Sequence, residues 1–294
     1  MKVGIYGQFY HRDSARYVQE LLDILDRQKV TVIIEKNFLE LIRSNKDIDK
    51  AYPHFSTFEE LDNSYDLFFS IGGDGTMLKT VTYVRDLDIP IVGINTGRLG
   101  FLATIKKEAI EHSVLQILEG KYQLSVRSLL EVHIDNNKEA FGDLNFALNE
   151  IAVSRKNTTS MISVATELNG EALTNYWADG LIISTPTGST GYSLSCGGPV
   201  MTPGTSSFAL TPIAPHNLNA RPLVISDQTE ITLRVSGREQ QHLISLDSRI
   251  ATLANDTLIR IRKAPFSVRL IVLEEDSFLN TLRKKLLWGE DRRN

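Results

Sequence analysis

The sequence Asp66-Leu67-Phe68-Phe69-Ser70-Ile71-Gly72-Gly73-Asp74-Gly75-Thr76 decides the fold of the first part of the chain. Its apolar run has the composition of a strand that is buried on both faces, and a helical pattern around residues 77–84 follows the glycines. A strand, a glycine-rich turn and a helix in this order are typical of a βαβ unit. The stretch therefore predicts a strand-to-helix turn within a parallel α/β sheet.

The same alternation of strand and helix patterns extends over residues 1 to about 105, and the pattern then changes. Further strand patterns at 3–6, 30–34 and 90–94 surround the quoted stretch. From about residue 124 the chain consists of short β-type segments, including 151–154, 162–168, 181–184, 231–235 and 243–246. The pair Asn169-Gly170 indicates a type I′ hairpin between two of them. Near the end, an apolar strand at 268–273 precedes a helical face formed by Phe278, Leu282 and Leu286.

These patterns predict two domains. The first is an α/β domain with a Rossmann-like parallel sheet, residues 1–120, which carries the Gly-Gly-Asp-Gly-Thr loop. The second is a mostly β domain, residues 121–267. We expect the strand and helix within residues 268–294 to return to the first domain and complete it.

Composition excludes several classes of function. The 294 residues include 32 basic and 36 acidic side chains without long basic runs, which argues against nucleic acid as the main partner. No apolar stretch is long enough for a signal peptide or a membrane span, so we expect a soluble protein. The single cysteine, Cys196, excludes an intrachain disulfide and favours a cytoplasmic location. The six histidines form no metal-binding pattern, and no residue is assigned as a metal ligand.

The glycine turn has the chemistry of a phosphate cradle. Its glycines allow close backbone approach to a ligand, and the amides at the following helix N-terminus favour an anion. A carboxylate beside phosphates is repelled unless it meets magnesium or a hydroxyl that is losing its proton, so Asp74 points to phosphoryl transfer. The alternative is a tight turn in which Asp74 only caps the helix. No Walker A pattern occurs, and Leu78 replaces the third glycine of a dinucleotide fingerprint.

Two further motifs suit a nucleotide ligand. The segment from Asp179 to Ser195 follows a short apolar strand with many hydroxyls and glycines, which can hold phosphate and ribose oxygens without adding charge. The dipeptide Asn149-Glu150 offers an amide for an adenine edge and a carboxylate for ribose hydroxyls. The alternatives are a flexible surface loop for the first and a polar strand edge for the second.

In this order and spacing, Gly72 to Thr76, Asn149-Glu150, Asp179 to Ser195 and Thr211 to His216 resemble the NAD kinase family. The resemblance implies a two-domain kinase that phosphorylates the 2′-hydroxyl of the adenosine ribose of NAD to give NADP. It implies ATP or another phosphoryl donor as second substrate, magnesium as cofactor, and a homodimer or homotetramer. Since diacylglycerol and sphingosine kinases share the glycine motif, the Asp179 to Ser195 segment is the more discriminating part.

The resemblance also implies roles for individual residues. Asp74 becomes the proton acceptor of the reaction. The residues implied to bind the dinucleotide are Gly75, Lys79, Asn149, Glu150, Asp179, Thr187, Thr190, Gly191, Tyr192, Ser193, Leu194, Ser195 and Ala214.

The sequence is also compatible with two other functions. A lipid kinase of the diacylglycerol type shares the glycine motif, although the Asn149-Glu150 pair has no clear purpose there. A non-catalytic NAD-binding sensor would use the same binding residues without turnover. Trp177 stands where some members of the family carry a basic residue, which leaves the choice between NAD and NADH open. The sequence does not distinguish ATP, other nucleoside triphosphates and polyphosphate as donors.

Overall fold

The structure is a computed structural model that describes residues 1–8, 14–44, 50–97, 100–135, 137–157, 160–274 and 276–287. The chain divides into two compact units, Met1–Val126 with Val268–Asn294, and Arg127–Ser267. In chain order, the helices are α1 (Ser14–Arg27), α2 (Lys36–Ser44), α3 (Asp74–Val84), α4 (Ile110–Leu118), α5 (Tyr192–Ser195) and α6 (Phe278–Leu286).

The strands alternate with helices at first and then follow one another directly. They are β1 (Lys2–Gly7), β2 (Thr31–Glu35), β3 (His54–Phe55), β4 (Leu67–Gly72), β5 (Ile91–Asn95), β6 (Ile105–Lys106), β7 (Gln123–Ile134), β8 (Phe146–Ala147), β9 (Glu150–Arg155), β10 (Ile162–Leu168), β11 (Glu171–Ala178), β12 (Gly180–Ser184), β13 (Ser207–Ile213), β14 (Leu223–Ser226), β15 (Ile231–Gly237), β16 (Gln241–Leu246), β17 (Arg249–Ala254) and β18 (Leu258–Val272).

The first unit is built on a parallel sheet with the order β5-β4-β1-β2-β3. All residues of β4 and β5 are buried, as expected for apolar strands covered on both faces. The strand order reverses between β1 and β4, and ligands of open α/β sheets bind at the carboxyl ends of strands at such a point. Gly72 at the end of β4 therefore lies where this fold class places a ligand.

The end of the chain belongs to the first unit. Leu270 in the last part of β18 pairs in parallel with Ile91 of β5, and Ile271 and Leu273 join the core of this unit. The aromatic ring of Phe278 in α6 lies 6.4 Å from that of Phe101, centroid to centroid. The predicted return of the terminal strand and helix to the α/β region is confirmed.

The second unit is mostly β. Its six-stranded antiparallel sheet has the order β14-β13-β12-β9-β16-β17, and β11, β10, β15 and the first part of β18 form antiparallel pairs in another sheet. Apolar side chains from both sheets form one core cluster. Asn169 and Gly170, between β10 and β11, have φ of 52° and 81°, the two positive values that a type I′ turn requires.

The predicted fold class, a parallel α/β region followed by a mostly β domain, is confirmed. Among the helices of the described residues, none combines the length and the apolar character needed to span a bilayer.

Candidate active site

The glycine turn connects β4 to α3 and leaves the N-terminus of that helix accessible. Gly72 has a φ of 155°, and a β-carbon there would lie 2.8 Å from Thr76 Cβ and overlap its hydroxyl, so only glycine fits. Within the described residues, and apart from the adjoining backbone, no atom lies within 4 Å of a β-carbon built on Gly73 or Gly75. The backbone amides that begin α3 can therefore be approached closely by an anion.

Asp74, the first residue of α3, has a carboxylate that is fixed by three consecutive backbone amides. The N–H groups of Leu102 and Ala103 donate to Oδ1 at 3.0 and 3.1 Å, and the N–H of Phe101 donates to Oδ2 at 2.8 Å. A carboxylate oxygen can accept two hydrogen bonds, so within the described part of the chain Oδ2 retains one acceptor position. The arrangement holds the carboxylate rigidly while leaving it able to accept a proton.

The segment that holds Asp74 is itself supported by the C-terminal helix. Besides the ring contact between Phe101 and Phe278, the Lys285 ammonium lies 5.6 Å from the centroid of the Phe101 ring. Helix α6 thus packs against Phe101, whose backbone N–H donates to Asp74 Oδ2.

Gly75 and Lys79 are both exposed on α3. Lys79 follows Gly75 by four residues and therefore lies on the same helix face.

In the second unit, Glu150 begins β9, Asn149 directly precedes it, and both are held by the buried carboxylate of Asp247. The N–H groups of Leu148, Asn149 and Glu150 donate to this carboxylate at 3.0, 2.8 and 3.2 Å. The N–H of Asp247 donates in turn to the carbonyl oxygen of Glu150 at 3.0 Å. The backbone of the dipeptide is therefore fixed from one side by a single residue that is remote along the chain.

The side chains of this dipeptide offer two acceptors. Asn149 Oδ1 and Glu150 Oε2 are buried, and within the described residues neither meets a hydrogen-bond donor. Burial, reinforced by the charge of Asp247, raises the pKa of Glu150 to about 7, and the backbone N–H of Tyr192 opposes that rise. Buried acceptors without donors favour a ligand that donates hydrogen bonds to both.

Gly191 and Tyr192 lie beside these acceptors. A β-carbon on Gly191 would lie 2.9 Å from Glu150 Oε2 and 3.6 Å from Asn149 Nδ2. Burial raises the pKa of the half-exposed Tyr192 hydroxyl, and the nearby Cys196, Asp179 and Glu150 raise it further. The structure thus brings Asn149, Glu150, Gly191 and Tyr192 together. Asp179 is close enough for its charge to raise the pKa of the Tyr192 hydroxyl.

The hydroxyl-rich segment after β12 is ordered by hydrogen bonds within the segment and to Leu148 and Thr211. Thr185 Oγ donates to the carbonyl of Leu148 at 2.6 Å and accepts from the N–H of Gly188, while Thr190 Oγ donates to the carbonyl of Thr187. The buried Ser193 hydroxyl shares a 2.8 Å hydrogen bond with Thr211. The side chains of Thr187 and Ser193 are buried, whereas Ser195 is exposed and Leu194 is half-buried.

Asp179 and Ala214 lie at neighbouring strand ends. Asp179 Oδ2 forms an ion pair with Arg155 Nη2 at 2.9 Å, and the backbone N–H of Arg155 donates to the carbonyl of Asp179. Ala214 follows β13 with a φ of 44° and is exposed. The N–H of Asp179 donates to the carbonyl of Ile213, which ties the two residues to the same edge of the sheet.

The groups that hold these residues are not among the site residues predicted from the sequence. The amides bonding Asp74 follow Gly100, where a β-carbon would lie 2.5 Å from Asp74 Cγ and overlap Oδ1. A signal for them was present, because Gly97 and Gly100 follow the predicted strand that neighbours the Asp74 strand. Arg155 carried no comparable signal. Asp247-Ser248 stands where the NAD kinase family often has Asp-Gly, but its contact with residues 148–150 was not visible along the chain. The pairing of β9 with β16 brings Asp247 to the site, and the pairing of β9 with β12 brings Arg155 to Asp179.

In the first unit a glycine turn holds an aspartate, and in the second unit buried acceptors lack donors within the described residues. Each feature by itself suits an enzyme that phosphorylates a nucleotide-like acceptor. Residues 3–122 match the family model of the ATP-NAD kinase N-terminal domain, and residues 148–273 match that of the C-terminal domain. The chain therefore belongs to the NAD kinase family, and it is an enzyme that phosphorylates NAD.

Individual relatives agree with this assignment. The chain is 65% identical to the NAD kinase of Christiangramia forsetii and 54% identical to that of Flavobacterium psychrophilum, in each case over the full length of both chains. Among solved structures, an NAD kinase from Archaeoglobus fulgidus in complex with ATP is 27% identical, with a TM-score of 0.76 over 98% of this chain and all of that one. Yeast NADH kinase complexed with NADH, at 23% identity, shares the fold with a TM-score of 0.88 over all of this chain and 89% of that one.

Proposed function

We propose that the enzyme transfers the γ-phosphoryl group of ATP to the 2′-hydroxyl of the adenosine ribose of NAD, with Asp74 as proton acceptor. As the O–P bond to the ribose oxygen forms, the bond to the β-phosphate breaks, ADP leaves, and the hydroxyl proton passes to the Asp74 carboxylate. The remaining acceptor position on Oδ2 supports this role. The three amides keep the carboxylate from swinging away, so its position is set before the substrate arrives.

One observation carries the proposed dinucleotide site: the buried oxygens Asn149 Oδ1 and Glu150 Oε2 have no donor within the described part of the chain. The amino group of adenine and the ribose hydroxyls are donors, and leaving such acceptors unpaired is costly. Adenosine binding would satisfy both. The missing side chain at Gly191 supports the same assignment, because it leaves room directly beside Glu150 Oε2.

The other residues of the proposed site supply backbone amides, hydroxyls, two charged side chains and an aromatic ring. The half-exposed Tyr192 ring offers a face for a base or a nicotinamide ring. Gly75 and Lys79 lie on the first turns of α3, where backbone amides and an ammonium favour phosphate. We assign the remaining dinucleotide contacts to Asp179, Thr187, Thr190, Ser193, Leu194, Ser195 and Ala214. Because Thr187 and Ser193 are buried, any contribution from them comes through their backbone or through packing.

Magnesium fits this proposal as a partner of the donor triphosphate. Within the described residues there is no group of three or more His, Cys, Asp or Glu side chains that could hold a metal ion. Mg²⁺ binds substrate phosphates and keeps several waters, so in this proposal the donor triphosphate and water would supply its ligands, because the remaining acceptor position of Asp74 takes the proton. When bound, the ion neutralises charge on the β- and γ-phosphate oxygens.

We further propose a cytoplasmic homodimer or homotetramer. The single free cysteine, Cys196, supports a reducing compartment. Apolar exposure on the outer strands supports association, because Val224 on β14 and Ile250 on β17 are 49% and 67% exposed at the two edges of the six-stranded sheet. Light scattering coupled to size exclusion measures the oligomeric state, and a monomer would contradict this part of the proposal.

The decisive experiment pairs NAD and NADH with ATP, other nucleoside triphosphates and polyphosphate, with and without magnesium. We expect NADP to form from NAD and ATP only when magnesium is present. The variant Asn149→Ala should raise the KM for NAD while leaving the KM for ATP unchanged. An unchanged KM for NAD in this variant would contradict the proposed adenosine site.

A further inference from the structure

We propose that Asp247 is a positioning residue for dinucleotide binding, because its buried carboxylate holds the backbone of residues 148–150 so that Asn149 and Glu150 present their acceptors to the ligand. This inference rests on the proposed role of Asn149 and Glu150. Asp247 occupies the turn between β16 and β17, and its side chain is only 6% exposed.

The backbone that Asp247 bonds lies at the junction of two strands. Residues 148 and 149 connect β8 to β9, so strand pairing alone does not bind their N–H groups. On the carbonyl side, Thr185 bonds both residues: its hydroxyl donates to Leu148 and its N–H donates to Asn149. Asp247 accepts hydrogen bonds from the N–H groups of the same two residues. Every backbone N–H and carbonyl group of residues 148–150 is thereby hydrogen-bonded, which restrains the conformation of the dipeptide.

Arg249, in the same hairpin, binds the backbone a few residues before this junction. The Arg249 guanidinium donates to the carbonyl oxygens of Leu144 and Phe146 and lies 5.4 Å from the centroid of the Phe146 ring. It also lies 3.8 Å from Asp247 Oδ2, where its charge partly offsets that of the buried carboxylate. The hairpin turn therefore holds the segment 144–150 at both ends.

The variant Asp247→Asn tests the carboxylate without changing the turn. Asp247 has a φ of 51°, and asparagine tolerates this region as well as aspartate does. Its amide nitrogen, however, would replace one carboxylate oxygen and leave at least one of the three backbone N–H groups without an acceptor. We expect the KM for NAD to rise by about tenfold or more, with the KM for ATP unchanged and kcat reduced much less.

The matched control is Asp256→Asn. Asp256 is also an aspartate in a turn of the second unit, with a φ of 61°, and it is exposed. We expect its kinetic constants to remain those of the parent enzyme. If Asp247→Asn leaves the KM for NAD as low as this control does, the positioning role is wrong.

Two further measurements separate the possible failures. If Asn149→Ala raises the KM for NAD and Asp247→Asn does not, only the positioning role fails; if neither raises it, the site assignment fails as well. Hydrogen exchange on the parent protein, followed by NMR, does not depend on the variant folding. The amides of 148–150 should be protected as strongly as those of β9, and exchange at the rate of a surface loop would overturn the inference.

Discussion

Gly100 and Asp74 are in such close contact that residue 100 cannot carry a side chain. A β-carbon on Gly100 would lie 2.5 Å from Asp74 Cγ and overlap Oδ1. The next three residues donate their amides to the same carboxylate. The side chain that we assign as proton acceptor is therefore held by backbone geometry that depends on one glycine.

We expect Gly100→Ala to reduce kcat by about 100-fold, because either the carboxylate or the segment that holds it must move by the order of 1 Å. NAD binding, measured by calorimetry, should change little. The control is Gly204→Ala, since within the described residues no atom lies within 4 Å of a β-carbon at that position. Equal kcat values for the two variants would mean that the position of Asp74 does not limit turnover.

Asp74→Asn removes proton acceptance while keeping the shape of the side chain. General-base catalysis contributes about 10² to 10⁴ in rate, so we expect kcat to fall by that factor while NAD binding persists. The variant also replaces a charged acceptor of three N–H groups, and it should lose about 1 to 3 kcal/mol of unfolding free energy. Single-turnover kinetics and calorimetry separate the two effects. Full turnover in this variant would refute the catalytic assignment.

Glu150 should make the enzyme less stable as pH rises. Its pKa is raised from 4.5 to about 7 by burial and by the charge of Asp247, so the folded state holds a proton that the unfolded state has released. Between about pH 4.5 and pH 7 the folded protein binds more protons, and the unfolding free energy therefore falls as pH increases through this window. The shift corresponds to about 3 kcal/mol.

Glu150→Gln removes this dependence, because glutamine does not ionise. Relative to the parent enzyme, we expect it to gain about 2 to 3 kcal/mol of unfolding free energy between pH 5 and pH 8, while its affinity for NAD falls. Urea unfolding at the two pH values measures the gain. The control is Glu171→Gln, at the exposed first residue of β11. A parallel response of the two variants would exclude a raised pKa at Glu150.

The sequence predicted those elements whose local pattern matches their surroundings. The apolar runs of β4 and β5 are buried on both faces, and Asn169-Gly170 forms the turn that its residue types require. Strand β11 has no comparable signal: its first five residues, Glu171 to Asn175, are all exposed at the edge of a sheet, so no alternation of polar and apolar residues marks it. Its existence depends on pairing with β10 rather than on its own composition.

The residues of the candidate site also differ in how far the sequence predicts them. The residues proposed to contact substrate stand in motifs whose chemistry is visible along the chain. The groups that hold these residues in place do not stand in such motifs. Asp74 accepts from amides 27 to 29 residues away, and Asp247 accepts from amides 97 to 99 residues away. Contacts at such separations follow from strand order and register, which no local pattern encodes.

The ion pair between Arg155 and Asp179 yields the last prediction. The two side chains, 29% and 25% exposed, meet at 2.9 Å between Nη2 and Oδ2, and the backbone N–H of Arg155 also bonds the carbonyl of Asp179. If Asp179 contacts the dinucleotide, Arg155 fixes the direction in which its carboxylate points. Removing the guanidinium should then weaken NAD binding without any direct contact to the ligand.

A double-mutant cycle with Arg155→Gln and Asp179→Asn tests this dependence through the dissociation constant of NAD. Each single variant should bind NAD more weakly, and the double variant should bind about as weakly as Asp179→Asn alone, since Arg155 acts only through Asp179. The coupling should be about 1 kcal/mol, as expected for a partly exposed pair. Additive losses would mean that Arg155 affects NAD binding by a route other than Asp179.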